Sequence, residues 1–183
     1  KHLCNALSVN FPKLKKDCKE QVERLKNKNN VEIFTGDKYS LKLNISNRKW
    51  FIDDGCGDFP PGEISIAPIE NDSNGNLLVT IVNLRGKIYK NVLMTFKNGK
   101  LIKCSIEELD KFFNSLPENY RILCELGIGL NPKIKELTGL TLIDEKALGT
   151  YHIGLGMNHL SGGENNCPFH MDFVFYCDEI SFN

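Results

Sequence analysis

The sequence predicts an α+β fold, a strand-rich domain in which a mixed or antiparallel sheet is flanked by a few helices. Short runs of alternating apolar and polar residues outnumber the segments with helical periodicity. Most of these runs follow one another directly, through tight turns such as Asn98-Gly99, instead of alternating with helices. The length of 183 residues and the apolar content of 41% are sufficient for a buried core.

The chain begins with a helical pattern. Pro12, a residue type favoured in the first turn of a helix, precedes four apolar residues at helical spacing: Leu14, Cys18, Val22 and Leu25. Polar residues 27–30 end this helix. We therefore divide the chain into a helical N-terminal segment, residues 1–30, and a strand-rich domain, residues 31–183. Because Lys1 is not an initiator Met and opens an amphipathic stretch, we expect the segment to continue from a further N-terminal domain.

The rest of the sequence predicts mainly strands and tight turns. Period-two patterns predict strands at residues 31–34, 39–45, 48–52, 63–69, 77–82, 92–96, 101–104, 150–156 and 169–177. Residues 53–62, rich in Gly, Pro and Asp, are predicted to form a shaped loop. A short apolar stretch, residues 121–126, precedes what we interpret as a glycine-broken loop.

Two further helical segments are expected between these strands. Ser105 and Glu108 have the spacing of a capping box, which predicts a helix that ends near Leu116 because Pro117 follows. Residues 132–137 fit one or two helical turns.

Charge and cysteine content exclude several classes of protein. Twenty-three basic and 23 acidic residues give a net charge of zero, which argues against a nucleic-acid binder or a peripheral membrane protein. No stretch of 18 apolar residues is available to span a bilayer. The 7 cysteines are odd in number and contain no C-x-x-C pair, so we expect reduced thiols and a cytoplasmic location.

The tripeptide His170-Met171-Asp172 is the first candidate for chemistry. On a strand, residues i and i+2 project from the same face, so the imidazole and the carboxylate would point at one spot. Phe169 and Phe173 flank the tripeptide, and burying a carboxylate among apolar residues is costly without a partner. A metal ion or a bound ligand would be such a partner, and a structural His-Asp hydrogen bond is the alternative.

His152 adds a second imidazole in another apolar strand. Gly154 and Gly156 follow it at strand spacing and leave room beside the ring. A single histidine in such a strand is more often a hydrogen-bonded core residue than a ligand. Together with His170 and Asp172, however, it forms a set of two histidines and one carboxylate, which suits iron, zinc, manganese or cobalt.

Two glutamates enlarge this set of candidate ligands. Glu63 lies at a junction between the loop 53–62 and a strand, where a side chain can be aimed. Glu125 lies in an apolar run, where a carboxylate needs a nearby cation or a raised pKa. Each could separately be an ordinary surface or loop carboxylate. With Asp172 and the histidines they are enough for two divalent ions that share a bridging carboxylate.

Four blocks of the sequence resemble, in order and approximate spacing, the signature blocks of the M29 metallo-aminopeptidases, the aminopeptidase T/S-like family. The blocks are DFPPGEISIAP, ELGIGLNP, DEKALGTYHIGLG and HMDFV. Arg48-Lys49-Trp50 is also similar to that family. The resemblance extends from about Tyr39 onward and corresponds to the family's C-terminal, metal-binding region. It implies that residues 31–183 form a metal-binding catalytic domain.

The resemblance also implies roles for individual residues. Five side chains would bind one or two divalent ions, zinc, cobalt or manganese: Glu63, Glu125, His152, His170 and Asp172. Glu125 or Asp172 would bridge two ions, and Glu125 would be a catalytic residue. The reaction would remove the first residue of a peptide with a free N-terminus. The implied partners are an N-terminal domain of the same protein, absent from this chain, and a second subunit in a homodimer.

The sequence departs from the family pattern in several places. Family peptidases commonly have a Tyr seven residues after the first ligand histidine, and His159 occupies that position here. His159 would replace the Tyr as a catalytic hydrogen-bond donor, ligate metal, or be an ordinary loop residue. The loop between His152 and His170 is shorter than in the family. Residues 144–146 match a family block, and they would lie near the site or form a surface ion-pair segment.

Two other functions remain open from the sequence. The dihydroxypyridine dioxygenases resemble M29 proteins, and on that scaffold His152, His170 and Asp172 would bind a single iron ion while the glutamates play no direct part. A module that binds metal or peptide without turnover is the other alternative.

Overall fold

The computed structural model describes all residues, 1–183, and has the predicted α+β fold. Four helices are present: α1 (His2–Leu7), α2 (Phe11–Leu25), α3 (Glu107–Asn114) and α4 (Thr141–Asp144). The strands are β1 (Asn30–Thr35), β2 (Tyr39–Asn44), β3 (Phe51–Asp53), β4 (Glu63–Ile66), β5 (Ser73–Leu84), β6 (Lys87–Lys97), β7 (Lys100–Cys104), β8 (Leu123–Gly129), β9 (Tyr151–Gly156), β10 (His170–Phe175) and β11 (Glu179–Phe182). Two short 3-10 turns cover Glu118–Arg121 and His159–Ser161.

All eleven strands belong to one antiparallel sheet that curls upon itself. Its main order is β11-β1-β2-β5-β10-β9-β8-β4-β3, and β6 and β7 branch from β5. The long strand β5 pairs with β6 along one edge, and with β2 and then β10 along the other. β7 returns towards the start of β8, where Lys100 bridges Ile122 and the Leu123 N–H donates to the Gly99 carbonyl. The curl brings β4, β8, β9 and β10 together as one continuous surface.

A single large apolar core fills the inside of the curled sheet. Phe113 of α3 packs edge-to-face against Phe173 of β10, with ring centroids 5.7 Å apart. Helix α2 contributes Leu14, Cys18 and Leu25 to the same core, which confirms its predicted periodicity. The helical segment therefore packs on the strand-rich part, and the division at residue 30 stays a prediction.

The predicted capping box of α3 is wrong, because its two side chains are used elsewhere. Ser105 Oγ accepts the N–H of Leu93 at 3.0 Å, and Glu108 pairs with Lys87 across the surface. The helix begins after Ile106 without a side-chain cap. Asp110 in its first turn accepts the N–H of Cys104 at 2.7 Å, which ties α3 to the end of β7.

The two short segments after β8 also differ from the prediction. Residues 132–137 are not helical, and the helix lies at α4 instead. Asn131 Oδ1 accepts the N–H of Lys133, while the Asp144 carboxylate accepts the N–H groups of Thr138 and Gly139. These side chain-to-backbone bonds replace the helical bonds of the first segment and hold the chain entering α4.

The stretch that the sequence analysis interprets as a glycine-broken loop begins within a strand, because residues 127–129 form the end of β8. Gly127 and Gly129 lie within β8, paired on both sides with β4 and β9. All seven cysteines are free. No helix combines the length and apolar character that a bilayer-spanning segment requires.

Candidate metal centre

A polar cavity of about 310 Å³ opens over the surface formed by β4, β8, β9 and β10. The segment around α4 forms its other wall. The cavity is lined by Asp58, Glu63, Glu125, Thr141, Leu142, Glu145, Lys146, His152, His170 and Asp172. The five side chains that the resemblance implies as ligands therefore lie in this one place, whereas His159 does not line the cavity.

Strand periodicity explains why these side chains share one face. The apolar neighbours Ile64, Leu126, Ile153 and Phe173 point the other way and are buried in the core. The face towards the cavity carries the carboxylates and imidazoles, alternating with glycines on β8 and β9. The register places Glu125 opposite Gly154 and Gly154 opposite Asp172, so a glycine separates the two carboxylates.

The glycines create the space in which the side chains converge. A Cβ atom on Gly127, which lies opposite His152, would overlap the imidazole ring. A Cβ atom on Gly154 would lie 2.8 Å from Asp172 Oδ1 and 3.0 Å from Glu125 Cβ. Larger residues at either position would displace a candidate ligand.

Two groups of candidate ligands meet at Glu125. The Glu63 group consists of Glu63, Glu125 and His152, and the Asp172 group consists of Glu125, His170 and Asp172. Within each group the potential ligand atoms lie within 4.8 Å of one another. Carboxylate and imidazole donors in such sets suit zinc, manganese, cobalt or iron. The residues present therefore fit a divalent metal ion at either group.

The Glu63 group is the more buried of the two. His152 Nε2 lies 3.9 Å from Glu63 Oε2 and 3.9 Å from Glu125 Oε1. The Nδ1 atom of His152 is buried without a hydrogen-bond partner. A buried unsatisfied imidazole nitrogen is costly for a core residue, which favours a ligand role for His152 over that of a hydrogen-bonded core histidine.

The Asp172 group is held in place by the backbone. His170 Nε2 lies 3.0 Å from Asp172 Oδ1 and 3.3 Å from Glu125 Oε2. The other ring nitrogen, Nδ1, lies 3.1 Å from the carbonyl oxygen of Met157. Donation from Nδ1 to this carbonyl would leave Nε2 as the nitrogen that binds a metal ion once its proton is lost, as in metal-binding histidines.

Replacing Gly127 with Ala tests whether this space is needed. The added methyl group should displace the His152 ring and reduce divalent-metal affinity by about 10–100-fold, the range typical of disturbed ligand surroundings. Calorimetric titration with Mn²⁺ measures the effect. Gly57→Ala is the control, since Gly57 is exposed and its added Cβ would make only an ordinary contact. Equal affinity in the wild type and Gly127→Ala would contradict the prediction.

Electrostatics in the cavity are dominated by burial and by the convergence of opposite charges. Burial lowers the pKa of His152, but the surrounding carboxylates, Glu63 first, outweigh it and raise the pKa to about 10. The pKa of His170 is likewise raised, because Asp172, Cys124 and Glu125 outweigh its burial. Burial raises the pKa of Glu63, whereas the two nearby histidines outweigh burial at Glu125 and lower its pKa.

The family model described as "Thermophilic metalloprotease (M29)" matches residues 9–174. The chain belongs to the M29 family. No curated protein matches it significantly. The match includes all five candidate ligands.

Two solved structures resemble this M29 chain over nearly its whole length. Wild-type AmpT from Thermus thermophilus has a TM-score of 0.76 and 17% identity, and the match covers 96% of this chain and 51% of AmpT. The 2,5-dihydroxypyridine dioxygenase of Pseudomonas putida has a TM-score of 0.71 and 18% identity, covering 98% of this chain and 58% of the dioxygenase. At these identities the likeness shows a shared fold. The chain spans about half the length of both structures.

Two buried, charged residues of this M29 cavity were not among the candidate ligands. Glu145 and Lys146 are buried and line the cavity, so the interpretation of residues 144–146 as a surface ion-pair segment is wrong. Lys146 Nζ lies 2.7 Å from Glu63 Oε2, 3.1 Å from Glu145 Oε1 and 3.4 Å from Asp53 Oδ2. Burial raises the pKa of Glu145 to about 7. Their match to the DEK family block was the available sequence signal.

His159 lies apart from the cavity lining. It is exposed at the start of the 3-10 turn His159–Ser161, and its N–H donates to the Asn165 carbonyl at 3.3 Å. The cavity lining does not include it. A catalytic role for His159 stays a prediction.

Proposed function

We propose that this chain carries the metal centre of an aminopeptidase, with two divalent ions, zinc, cobalt or manganese, sharing Glu125. The observation that supports it best is the membership of Glu125 in both ligand groups. Its Oε1 faces His152 and its Oε2 faces His170, so one carboxylate can offer one oxygen to each group. A carboxylate shared in this way is typical of co-catalytic hydrolases.

The charge of the cavity supports a centre of two ions. Five carboxylates and one lysine line it, and the imidazoles of ligand histidines are neutral. With every carboxylate ionised, four negative charges are then left in a partly buried space, which is unfavourable without compensation. Two divalent ions would balance this charge.

The proposed chemistry follows from the two-ion centre. When bound, two such ions hold and acidify a water molecule and polarise a peptide carbonyl. The chain's own residues prepare the site for this: Met157 orients His170, and Gly127 and Gly154 make room for the ligands. Asp58 and Glu145 line the cavity but belong to neither ligand group, so their carboxylates would face the free ammonium of a peptide N-terminus.

The position of His152 favours this function over the dioxygenase alternative. An iron site of the facial type would use His152, His170 and Asp172 and leave the glutamates aside. Here His152 joins Glu63 and Glu125, while His170 and Asp172 join Glu125 from the other side. Glutamates are therefore central to both ligand groups.

Elemental analysis combined with an activity panel tests the proposal. The purified protein should bind two zinc, cobalt or manganese ions per chain and release amino acids from aminoacyl-amides. Both this chain and any longer product of its gene are assayed, because substrate enclosure by a second domain of the same protein is part of the proposal, as is a homodimer. One ferrous ion with oxygen uptake would support the dioxygenase instead. Peptide binding without turnover in every form would support a binding module.

Metal binding should release protons. The raised pKa values of His152, about 10, and of His170 mean that both rings are protonated near neutral pH in the metal-free site, whereas ligand imidazoles are neutral. Apparent affinity should therefore rise with pH towards the pKa of these rings. Calorimetry in two buffers of different ionisation enthalpy measures the released protons. An observed enthalpy that does not depend on the buffer would contradict this expectation.

A further inference from the structure

The two ligand groups differ in their cationic neighbours. Glu63 shares its Oε2 with the ammonium of Lys146 at 2.7 Å. In the Asp172 group, Asp172 and the Oε2 atom of Glu125 pair only with the imidazole of His170. A fixed positive charge therefore adjoins one group and not the other.

Lys146 is firmly held where it lies. Its side chain is only 4% exposed, and three carboxylates from separate segments surround it: Asp53 at the end of β3, Glu63 on β4 and the adjacent Glu145. Backbone bonds hold Lys146 on both sides, since its N–H donates to the Ile143 carbonyl and its carbonyl accepts the N–H of Asn131. The carboxylate of Asp144 accepts the N–H groups of Thr138 and Gly139, which fixes the turn that precedes Glu145 and Lys146. If the ammonium moved away when a metal ion approached Glu63, it would lose its contacts with these carboxylates.

We propose that the two halves of the centre bind metal with different affinities, and that the Lys146 ammonium makes the Glu63 group the weaker, more readily exchanged half. This inference rests on the proposed two-ion centre. An ion at the Glu63 group must compete with the ammonium for Glu63 and is repelled by its charge at short range in a partly buried space. An ion at the Asp172 group meets no lysine and displaces only the proton of its own histidine, as an ion at either group must. Lys146 is a positioning and tuning residue in this scheme, since it acts through Glu63.

Titration of the metal-free protein with Co²⁺ alone tests the proposal through calorimetry and the visible absorption of bound cobalt. The wild type should bind in two steps of different affinity, and Asp172→Asn should remove the tighter step. Lys146→Met should tighten the weaker step by about tenfold or more, because it removes one like charge beside the ion, and should leave the tighter step within about threefold. Lys146→Arg keeps the charge and should keep the weaker step close to that of the wild type.

Matched variants separate the possible explanations. Lys103→Met removes an exposed lysine of β7 and should change neither step. If Lys146→Met does not fold because three carboxylates lose their partner, the double variant Glu145→Gln/Lys146→Met removes one of them and carries the same expectation. Equal steps in the wild type, or a weaker step that does not tighten without Lys146, would overturn the inference alone. Fewer than two ions in the wild type would overturn the proposed centre, and the inference with it.

Discussion

Glu125→Gln should abolish the two-ion centre and reduce hydrolysis by more than about 100-fold, since even residues behind metal ligands typically contribute 10–100-fold. The amide keeps the shape of the side chain but cannot offer an anionic oxygen to both groups. The fold should persist, because Glu125 lies on a strand paired on both sides and its apolar neighbours remain buried. Metal analysis, circular dichroism and the aminoacyl-amide assay are measured together on the variant.

The matched control for Glu125→Gln is Glu179→Gln. Glu179 is also a strand glutamate, but it is exposed on β11, at the opposite end of the main strand order from β3. Its replacement should leave both metal content and activity unchanged. Activity near that of the wild type in Glu125→Gln would show that Glu125 is neither bridge nor base, and a folded variant that still bound two ions would remove the bridging role.

The strands of the site could be predicted because their signals are local. His170 and Asp172 alternate with core residues in β10, and His152 alternates with Ile153 and Leu155 in β9. Period two alone places each set on one face. The order of β4, β8, β9 and β10 in the sheet depends on long-range pairing, and no local pattern encodes it. The resemblance to M29 proteins supplied that missing step.

The errors occurred where a side chain bonds to backbone and where glycines make room for a neighbouring group. Ser105 has the residue type and spacing of a helix cap, yet its hydroxyl accepts an N–H from β6. Gly127 and Gly129 resemble loop residues, but in β8 they are strand residues that make room for His152 and for the segment of Ala147 and Thr150. Glycine lowers strand propensity, so close approach of another side chain or backbone can be recognised only in three dimensions.

Lys146 illustrates the same limit for the site itself. In the sequence it belongs to a charged tripeptide that is typical of a solvent-exposed turn. Its burial depends on Asp53 and Glu63, which are far from Lys146 in the sequence. The pairing of β3 with β4 brings these two carboxylates together. A buried lysine is therefore visible only once its carboxylate partners have been placed.

Glu70→Ala should destabilise the protein by about 1.5–3 kcal/mol, the range found for hydrogen bonds to a charged group. Arg48 and Glu70 form a half-buried ion pair at 2.6 Å. The carboxylate also accepts hydrogen bonds from the side chain of Asn158 and the N–H of Glu164, both at 2.7 Å. One residue thus anchors the loop between β9 and β10.

This anchor also reaches the proposed metal centre. Asn158 follows Met157, whose carbonyl orients His170, so a loosened loop should weaken metal binding at the Asp172 group as well.

Hydrogen bonds outweigh burial and lower the pKa of Glu70, so its contribution is present above the pKa of an unfolded Glu and is lost as pH falls through the lowered value. The stability difference between wild type and Glu70→Ala should therefore shrink in acid. Urea unfolding at several pH values measures it, with Glu20→Ala, which breaks the exposed pair with Lys16, as the control. If Glu70→Ala were no less stable than that control, the loop would be held by other contacts.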